Sequence, residues 1–329
     1  MNLLKRKFLC IILCLMLVIV LSADDGGKLK TTLKVQWFPQ AQFAGFIMAM
    51  EKGFYQAEGI EFDLLFSDGS DSPIENIISG EVDFCTAWLS QTIPSKAQGN
   101  DLVNICQLLQ KSSMMLVAKK SSNIKEPQDM NGRRIGLWSG DFSIQPNAFF
   151  EKFDISFEQV PQSYNIHAFL ADAWDVTSAM YYNEYHKIIQ AGINENELNS
   201  FFFSEFDLNF PEDGIYCLKS TLDDNPELCR KMVKASLEGW EYAFQHKDET
   251  LQIVMKYCDE YHMQTNIALQ SWMLDVIEQS VKYKTGETRS EWGYLKEYDF
   301  NKVCEILMNQ GLLKQKPIYN EFFPGAQHE

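Results

Sequence analysis

Short apolar runs and amphipathic stretches alternate along most of the chain. Runs of about four to eight β-branched or aromatic residues predict buried strands, and apolar residues spaced by three or four predict helices. In the first part of the chain the predicted strands are Leu33–Trp37, Glu61–Phe66, Val82–Thr86, Leu102–Leu109 and Met114–Ala118. The helices predicted between them are Gln42–Lys52, Pro73–Ser79 and Ser90–Gln98. This alternation indicates a mainly parallel sheet covered by helices.

A second series of the same kind follows a polar stretch at residues 119–123. Its predicted strands are Arg134–Trp138, Ser156–Val160, Asp175–Met180, Phe201–Phe203 and Ile215–Leu218. Its predicted helices are Pro146–Phe153, Ile166–Leu170 and Tyr182–Ala191. The rest of the chain has the helical period. The first helix of this tail begins at the Asn225 cap with Pro226, and the later ones are predicted around Leu251–Tyr261, Asn266–Gln279 and Phe300–Gln310.

Two α/β series and a helical tail predict an α/β protein with two hinged lobes. We expect residues 31–115 and 216–329 to form the first lobe, and residues 116–215 to form the second. Two crossing strands near Met115–Ala118 and Asp213–Leu218 would form the hinge. A cleft between lobes is a common place for a small ligand.

The first 23 residues have the pattern of a secretory signal peptide. Lys5-Arg6-Lys7 precedes an apolar run from Phe8 to Leu21, and small residues Ser22-Ala23 follow it. The run has 14 residues, whereas a membrane span needs about 20, although a retained anchor is the alternative. The net charge of −16 makes nucleic acid an improbable partner and suits a neutral or cationic small molecule.

Cysteine and histidine spacing gives no sign of a metal or redox site. Cys10 and Cys14 lie in the predicted signal peptide, and the remaining six have no C-x-x-C pair: Cys85, Cys106, Cys217, Cys229, Cys258 and Cys304. These six are either buried thiols or partners in disulfides whose pairing the sequence leaves open. The five histidines have no metal spacing, so we expect no cofactor and no metal.

Three tryptophans stand at the ends of predicted strands: Trp37, Trp88 and Trp138. Because the carboxyl ends of parallel strands meet at one edge of a sheet, the three indoles are candidates for one cleft. Aromatic rings hold flat ligands by stacking, worth about 0.5–1.5 kcal/mol beyond area burial. Packing in a lobe core is the alternative for each of them.

Polar loops accompany these aromatic residues. The turn after Trp37 offers the amides of Gln40 and Gln42, Ser70 lies in a strand-to-helix turn, and Gly140-Asp141 occupies the matching place in the second series. Tyr181-Tyr182-Asn183-Glu184 follows a strand, where a carboxylate can accept hydrogen bonds from an aminopyrimidine edge. Ordinary turns, and a carboxylate stabilised by the helix dipole, are the alternatives.

The opening loop Trp37-Phe38-Pro39-Gln40-Ala41-Gln42-Phe43-Ala44-Gly45 resembles that of solute-binding proteins related to thiamine-pyrimidine synthases. Further similarity lies at residues 79–84, 96–99, 130–136 and 182–184. The family includes binders of thiamine pyrimidines, alkanesulfonates and riboflavin. The resemblance spans roughly Leu33 to Phe323, and it implies a type II periplasmic-binding-protein fold, a monomer in the periplasm and delivery of a ligand to an ABC permease.

The resemblance also implies roles for individual residues. In the pyrimidine-binding branch an aromatic residue of the first loop stacks on the ring and a glutamate binds the amino edge, which carries over to Trp37 and to Glu184 with Asn183 beside it. The branch's first loop often has asparagine and histidine where this chain has Gln40 and Phe43.

The ligand predicted from these features is a small aromatic heterocycle, with an aminopyrimidine thiamine precursor first and a flavin or another heterocycle second. A ligand-sensing receptor protein is one alternative role. The second alternative is an enzyme related to the synthases that consume pyridoxal phosphate. That enzyme needs a lysine and a histidine at positions that align with Ala87 and Gln91, so we expect no catalysis.

Overall fold

The first of two sheets forms around the amino-terminal strand. The computed structural model describes residues 29–324, so the predicted signal peptide lies outside the described residues. The strands of this sheet, in the spatial order β2-β1-β3-β10-β4, are β1 Leu29–Val35, β2 Ile60–Phe66, β3 Phe84–Ala87, β4 Leu102–Gln107 and β10 Gly214–Leu218. β1 runs parallel to β2 and β3, and β10 runs antiparallel to both of its neighbours.

The second sheet has the same plan. Its strands, in the spatial order β7-β6-β8-β5-β9, are β5 Met114–Lys119, β6 Arg134–Leu137, β7 Glu158–Pro161, β8 Val176–Met180 and β9 Leu198–Phe202. β6 is parallel to β7 and β8, while β5 is antiparallel to β8 and β9. The chain enters the second sheet through β5 and returns to the first sheet through β10. These are the strands that run antiparallel to both of their neighbours.

Helices cover both sheets and form the carboxyl-terminal tail. Those with α-helical geometry are Ala44–Glu51, Phe54–Ala57, Pro73–Ser79, Leu89–Ala97, Ile144–Lys152, His167–Leu170, Glu184–Gln190, Lys219–Asp224, Pro226–Gln245, Lys247–Glu260, Ile267–Val281, Glu297–Asn309 and Tyr319–Phe322. Among residues 29–324, none of them is long and apolar enough to span a bilayer. The predicted two-lobed α/β fold is therefore confirmed, although each sheet is mixed rather than wholly parallel.

The hinge differs from the prediction. β5 and β10, predicted as the crossing strands, each lie entirely within one sheet, and the chain changes sheets in the segments before them, 108–113 and 203–213. Met115 pairs with Ala179 of the second sheet and Ile215 with Thr86 of the first. The proposed lobe boundaries at 115/116 and 215/216 would therefore each move back by about two residues.

Capping residues explain where several helices begin or end. The Pro73–Ser79 helix agrees with the prediction because Ser72 caps its start and Gly80, at φ 78°, ends it in the left-handed region. Asn225 likewise accepts a hydrogen bond from Leu228 N at the start of the long tail helix. The short helices at Phe54–Ala57, Lys219–Asp224 and Tyr319–Phe322 were not predicted, since each is too short to show a helical period.

The long tail helix packs closely against the helix that follows the first loop. A Cβ added to Gly239 would lie 2.2 Å from the carbonyl oxygen of Gly45, and one added to Gly45 would lie 2.1 Å from the Trp240 ring. Only glycine allows this approach, because real Cβ atoms do not tolerate such distances. The helix that carries the first loop is thereby fixed to the first lobe.

All six described cysteines are buried as free thiols. The Sγ atoms of Cys217 and Cys229 are 4.0 Å apart, the one thiol–thiol contact recorded within residues 29–324. Of the two alternatives that the sequence left open, the structure of residues 29–324 has the buried thiols and no disulfide.

Candidate functional site

A cavity of about 460 Å³ lies between the two lobes. Residues just after strand ends border it from both sheets: Gln36 after β1, Trp88 after β3, Trp138 after β6 and, two positions after β8, Tyr182. The carboxyl ends of parallel strands meet here, which is where open α/β sheets bind ligands. The volume is within the usual range of small-molecule sites, about 300–1,000 Å³.

Eight of the predicted site residues border this cavity. Together with Gln36, most of them form two groups, one in each lobe. The lobe-one wall consists of Gln36, Gln40, Gln42 and Trp88. The lobe-two wall consists of Trp138, Asp141, Asn183 and Glu184. Trp37 borders the cavity as well, near its rim, and Gln36 was not predicted.

Four predicted residues are not brought to the cavity. Phe43 is fully buried in the core of the first lobe, and Tyr181 packs its ring against Trp272 at 5.1 Å. Ser70 is exposed, and its hydroxyl donates to Asp68 at 2.5 Å. Gly140 is also exposed and supplies a left-handed turn at φ 66°. In each case a neighbour in the chain borders the cavity instead: Gln42, Tyr182, Asp71 and Asp141.

Aromatic rings join the lobes beside the cavity. The Trp37 ring meets Tyr164 of the second lobe with centroids 4.9 Å apart and planes at 64°. Trp88 meets Phe142 at 5.1 Å, and Phe142 in turn meets Trp138 at 5.8 Å. Edge-to-face contacts of this kind are favourable for aromatic rings. Sequence reasoning missed Tyr164 and Phe142, which lie in loops with no strand-end position to mark them.

Asp213 organises the lobe-one wall, a role that no sequence pattern predicted. Its carboxylate accepts hydrogen bonds from Gln36 Nε2 at 2.6 Å, Gln42 Nε2 at 2.8 Å and Trp88 Nε1 at 2.9 Å. The side chain is 1% exposed, and burial raises the pKa of Asp213 to about 6 in spite of these donors. The carboxylate lies in the returning crossing segment, just before β10.

The amide of Gln40 extends this network. Gln40 Nε2 donates to Gln42 Oε1 at 2.5 Å, so a chain of amides runs from the carboxylate along the wall. Both glutamines are buried, and the main chain beside them is held by Gln270, whose Oε1 accepts from Ala41 N at 2.7 Å. The first loop is thus fixed at the backbone and at its side chains.

Glu212, the neighbour of Asp213, belongs to the hinge. Its carboxylate accepts from Ser113 N at 2.6 Å and from Ser112 Oγ at 3.1 Å, which ties the two crossing segments together. Burial, with the negative charge of Asp213 nearby, raises the pKa of Glu212 to about 8. Its second oxygen, Oε2, is buried without a partner among the described residues.

Glu184 is held by contacts close to it in the chain. Its Oε2 accepts from Met180 N at 3.1 Å and its Oε1 from Asn183 Nδ2 at 2.9 Å. The side chain is 3% exposed, and burial raises the pKa of Glu184 above its ordinary value. Each carboxylate oxygen retains acceptor capacity toward the cavity, because an ionised carboxylate has about four lone-pair sites.

Charged groups around the cavity are mainly acidic. Asp71, Asp141 and Glu184 border it, and Lys187 is the one cationic side chain among the described residues that line it. Asp71 pairs with Lys34, and Asp141 accepts a hydrogen bond from Gln91 Nε2 of the opposite lobe at 3.2 Å. Within residues 29–324, no group of three or more histidine, cysteine, aspartate or glutamate side chains could hold a metal ion.

The NMT1/THI5 like family model matches residues 40–250. The chain belongs to this family. The family resemblance predicted from the opening loop and the Tyr-Asn-Glu segment is thereby confirmed. The matched range includes Asp213, the whole lobe-two wall and all of the lobe-one wall except Gln36.

Individual relatives extend over most of the chain. The riboflavin-binding protein RibY of Chloroflexus aurantiacus is 24% identical over 91% of this chain and 87% of its own length. The formylaminopyrimidine-binding protein of Halalkalibacterium halodurans is 21% identical over 73% of this chain and 74% of its own. A 4-amino-5-hydroxymethyl-2-methylpyrimidine phosphate synthase of Legionella pneumophila is 31% identical, but over only 36% of this chain and 38% of its own.

Solved structures share the fold. The periplasmic aliphatic sulphonate binding protein SsuA of Escherichia coli aligns with a TM-score of 0.67 and 11% identity, covering 90% of this chain and 99% of that chain. At this identity the likeness concerns architecture alone. It agrees with the two-lobed periplasmic-binding-protein fold predicted for the chain.

Proposed function

We propose that the protein is an extracytoplasmic solute-binding protein that captures a small aromatic heterocycle and delivers it to an ABC importer. The observation that carries the proposal is the cavity between the lobes, bordered by tryptophan rings and side-chain amides. Flat rings stack on the indoles, and amides fix the orientation of a polar edge. Closure of the lobes around the ligand would produce the form that docks on the permease.

The charge of the cavity favours neutral or cationic ligands. Three carboxylates and a single lysine border it, and no arginine lines it among the described residues. A sulfonate or phosphate would lose its hydration and meet negative charge instead of the bidentate arginine that such anions favour. Although the fold is shared with a sulphonate binder, the chemistry of this cavity therefore supports a heterocycle.

Relatives support a pyrimidine-like ring, since one is named for formylaminopyrimidine and another for riboflavin. An aminopyrimidine precursor of thiamine is the ligand we favour, with a flavin second. Trp37 and Glu184, bordering the same cavity, would stack on the ring and accept from its amino edge. The predicted signal peptide and the periplasmic relatives support export to the periplasm, where the protein would act as a monomer.

Calorimetric titration of the ligand-free protein tests the proposal. The panel should contain aminopyrimidines, riboflavin, an aliphatic sulfonate and amino acids. We expect tight binding of an aromatic heterocycle and none of the sulfonate. Tight binding of the sulfonate, with no aromatic compound bound, would overturn the proposal.

An enzyme is the second candidate, because the Legionella relative is a pyrimidine phosphate synthase. The positions that would need lysine and histidine are Ala87, at the end of β3, and Gln91, whose amide donates to Asp141. Neither side chain can form a Schiff base or transfer a proton. Incubation with pyridoxal phosphate, iron and oxygen should therefore give no pyrimidine product, and mass spectrometry of the protein should show no modified histidine.

A further inference from the structure

Three side chains of the lobe-one wall donate hydrogen bonds to the same carboxylate, that of Asp213. Gln36, Gln42 and Trp88 each donate to the carboxylate of Asp213, and Gln40 donates to Gln42. An ionised carboxylate accepts hydrogen bonds and cannot donate them. The amides of Gln36 and Gln42 are thereby oriented with their nitrogens toward Asp213, and the amide of Gln40 with its nitrogen toward Gln42.

This orientation determines what the wall can offer to a ligand. Gln36 Oε1 is a buried acceptor without a partner among the described residues, and Gln36 borders the cavity. Gln40 donates one N–H to Gln42 Oε1, and the carbonyl oxygen of Gln40 is the acceptor at the end of the chain of amides. A buried acceptor without a donor is costly, and a ligand that supplies the donor removes this cost.

We propose that Asp213 is a positioning residue that gives the lobe-one wall acceptor polarity, so that the bound heterocycle must present N–H donors to this wall. The inference rests on the proposed function and narrows its ligand class to rings with an exocyclic amino group or a protonated ring nitrogen. Asp213 itself does not border the cavity and acts through the glutamines.

The carboxylates of the lobe-two wall also favour a ligand that presents N–H donors. The Glu184 and Asp141 carboxylates that border the cavity are acceptors as well. Acceptors thus face the ligand from both lobes. A ring whose edges are mainly carbonyl oxygens and bare ring nitrogens, as in a flavin, would leave many of these acceptors unpartnered, whereas an aminopyrimidine would supply donors to them.

Three pyrimidines of nearly equal shape test the donor requirement. They are 4-amino-2-methylpyrimidine, 2,4-dimethylpyrimidine, in which a methyl group of similar size replaces the amine, and 4-methoxy-2-methylpyrimidine, in which an ether oxygen replaces it; neither analogue has an N–H group. Calorimetry should show that the wild-type protein prefers the amine to each analogue on the order of 10- to 100-fold.

Two variants test the positioning role. Asp213→Asn keeps the shape but adds a donor, so the glutamine amides are free to turn over; Gln36→Met removes one acceptor without touching Asp213. Both should lower the preference for the amine by about 10-fold, mainly through weaker binding of the amine. Gln56→Met, an exposed glutamine far from the network, is the matched control and should leave the preference unchanged.

The outcomes separate this inference from the proposed function. If the wild-type protein binds pyrimidines but prefers an analogue without N–H groups or does not discriminate, the donor requirement is wrong and the proposed function stands. If it binds no aromatic heterocycle, both are wrong. If Asp213→Asn folds normally and keeps the full preference, Asp213 has no positioning role; should that variant fail to fold, the result for Gln36→Met decides, and an unchanged preference there overturns the inference.

Discussion

The two walls of the cavity are both polar and both contain buried side chains, but they are held in different ways. In the lobe-one wall, the donors of Gln36, Gln42 and Trp88 reach a carboxylate that lies 177, 171 and 125 residues away in the chain. In the lobe-two wall, the carboxylate of Glu184 accepts from residues four positions and one position away. One wall depends on tertiary structure, the other on a local turn.

This difference has consequences for how each wall responds to change. Three donors share one acceptor in the first lobe, so loss of that acceptor leaves several buried groups unpartnered at once. In the second lobe a single turn is affected. We therefore expect substitutions in the lobe-one network to alter stability and affinity together, and substitutions in the lobe-two wall to alter mainly affinity.

The largest effect is expected for Asp213→Ala. Buried donors left without an acceptor cost about 1–3 kcal/mol each. With three donors affected, the melting temperature of the ligand-free protein should fall by on the order of 10 °C. Ligand affinity should fall by about 100-fold, because the glutamine amides lose the acceptor that fixes their orientation. Calorimetry and thermal melting measure the two quantities.

Asp223→Ala is the matched control for this change. Asp223 pairs with Lys219 one helical turn away, and its side chain is 56% exposed. Exposed pairs of this kind contribute about 0–1 kcal/mol, so both measurements should stay close to wild type. If Asp213→Ala resembled this control, the lobe-one wall would not depend on the shared carboxylate.

Glu184→Gln should lower affinity on the order of 10- to 100-fold, because hydrogen bonds to charged groups contribute about 1.5–3 kcal/mol. The glutamine keeps one oxygen that can accept from Met180 N, so the melting temperature should change little. Glu158→Gln, at an exposed position of the same lobe, is the control. A sharp fall in melting temperature with intact affinity would mean that Glu184 only stabilises its turn.

Trp37→Ala should weaken binding by about 10-fold through lost stacking and burial. The indole also contacts Tyr164 across the lobes, so removal of the Tyr164 ring alone provides a comparison. Tyr164→Ala keeps the indole and should reduce affinity less than Trp37→Ala. Equal losses in calorimetry would indicate that Trp37 acts through lobe contact rather than through the ligand.

The smallest effect is expected from pH. Burial raises the pKa of Glu212 to about 8 and that of Asp213 to about 6, above their ordinary values of 4.5 and 3.8. Between those ordinary values and pH 8 the folded state binds more protons than the unfolded state, so this contribution to stability is present at low pH and is lost as pH rises. The melting temperature should fall by a few degrees from pH 5 to pH 8.

Glu212→Gln isolates this contribution, because it removes the group with the higher pKa. Burial lowers the pKa of His186, which gives a slope of the opposite sign below pH 6.5, but this slope is the same in both proteins. The raised pKa of Glu184 is also common to both. Burial, with a contribution from Glu212, raises the pKa of Tyr182 further above 10, so this group does not titrate in the pH range compared. A variant whose melting temperature varies with pH as steeply as in the wild type would contradict the assignment.

The same contrast explains what could be predicted from the sequence. Trp88 and Trp138 directly follow strands, and Trp37 and Glu184 lie within four residues of a strand end, so the alternation of strands and helices was enough to assign them to one edge. Asp213 lies far from its partners in the chain and has no motif, and only the return of the chain to the first sheet brings it beside them. Phe43 is the opposite case. It lies in the loop that the sequence predicts to border the ligand, but one turn of helix directs its ring into the core.

The shared carboxylate also has an evolutionary consequence. A change at position 36, 42 or 88 that removes a donor leaves the buried acid less well satisfied, and a change at position 213 does the same to its donors. Selection therefore acts on these four positions as a unit. In relatives that bind a different ligand, they should vary together, although they are spread over more than half of the chain.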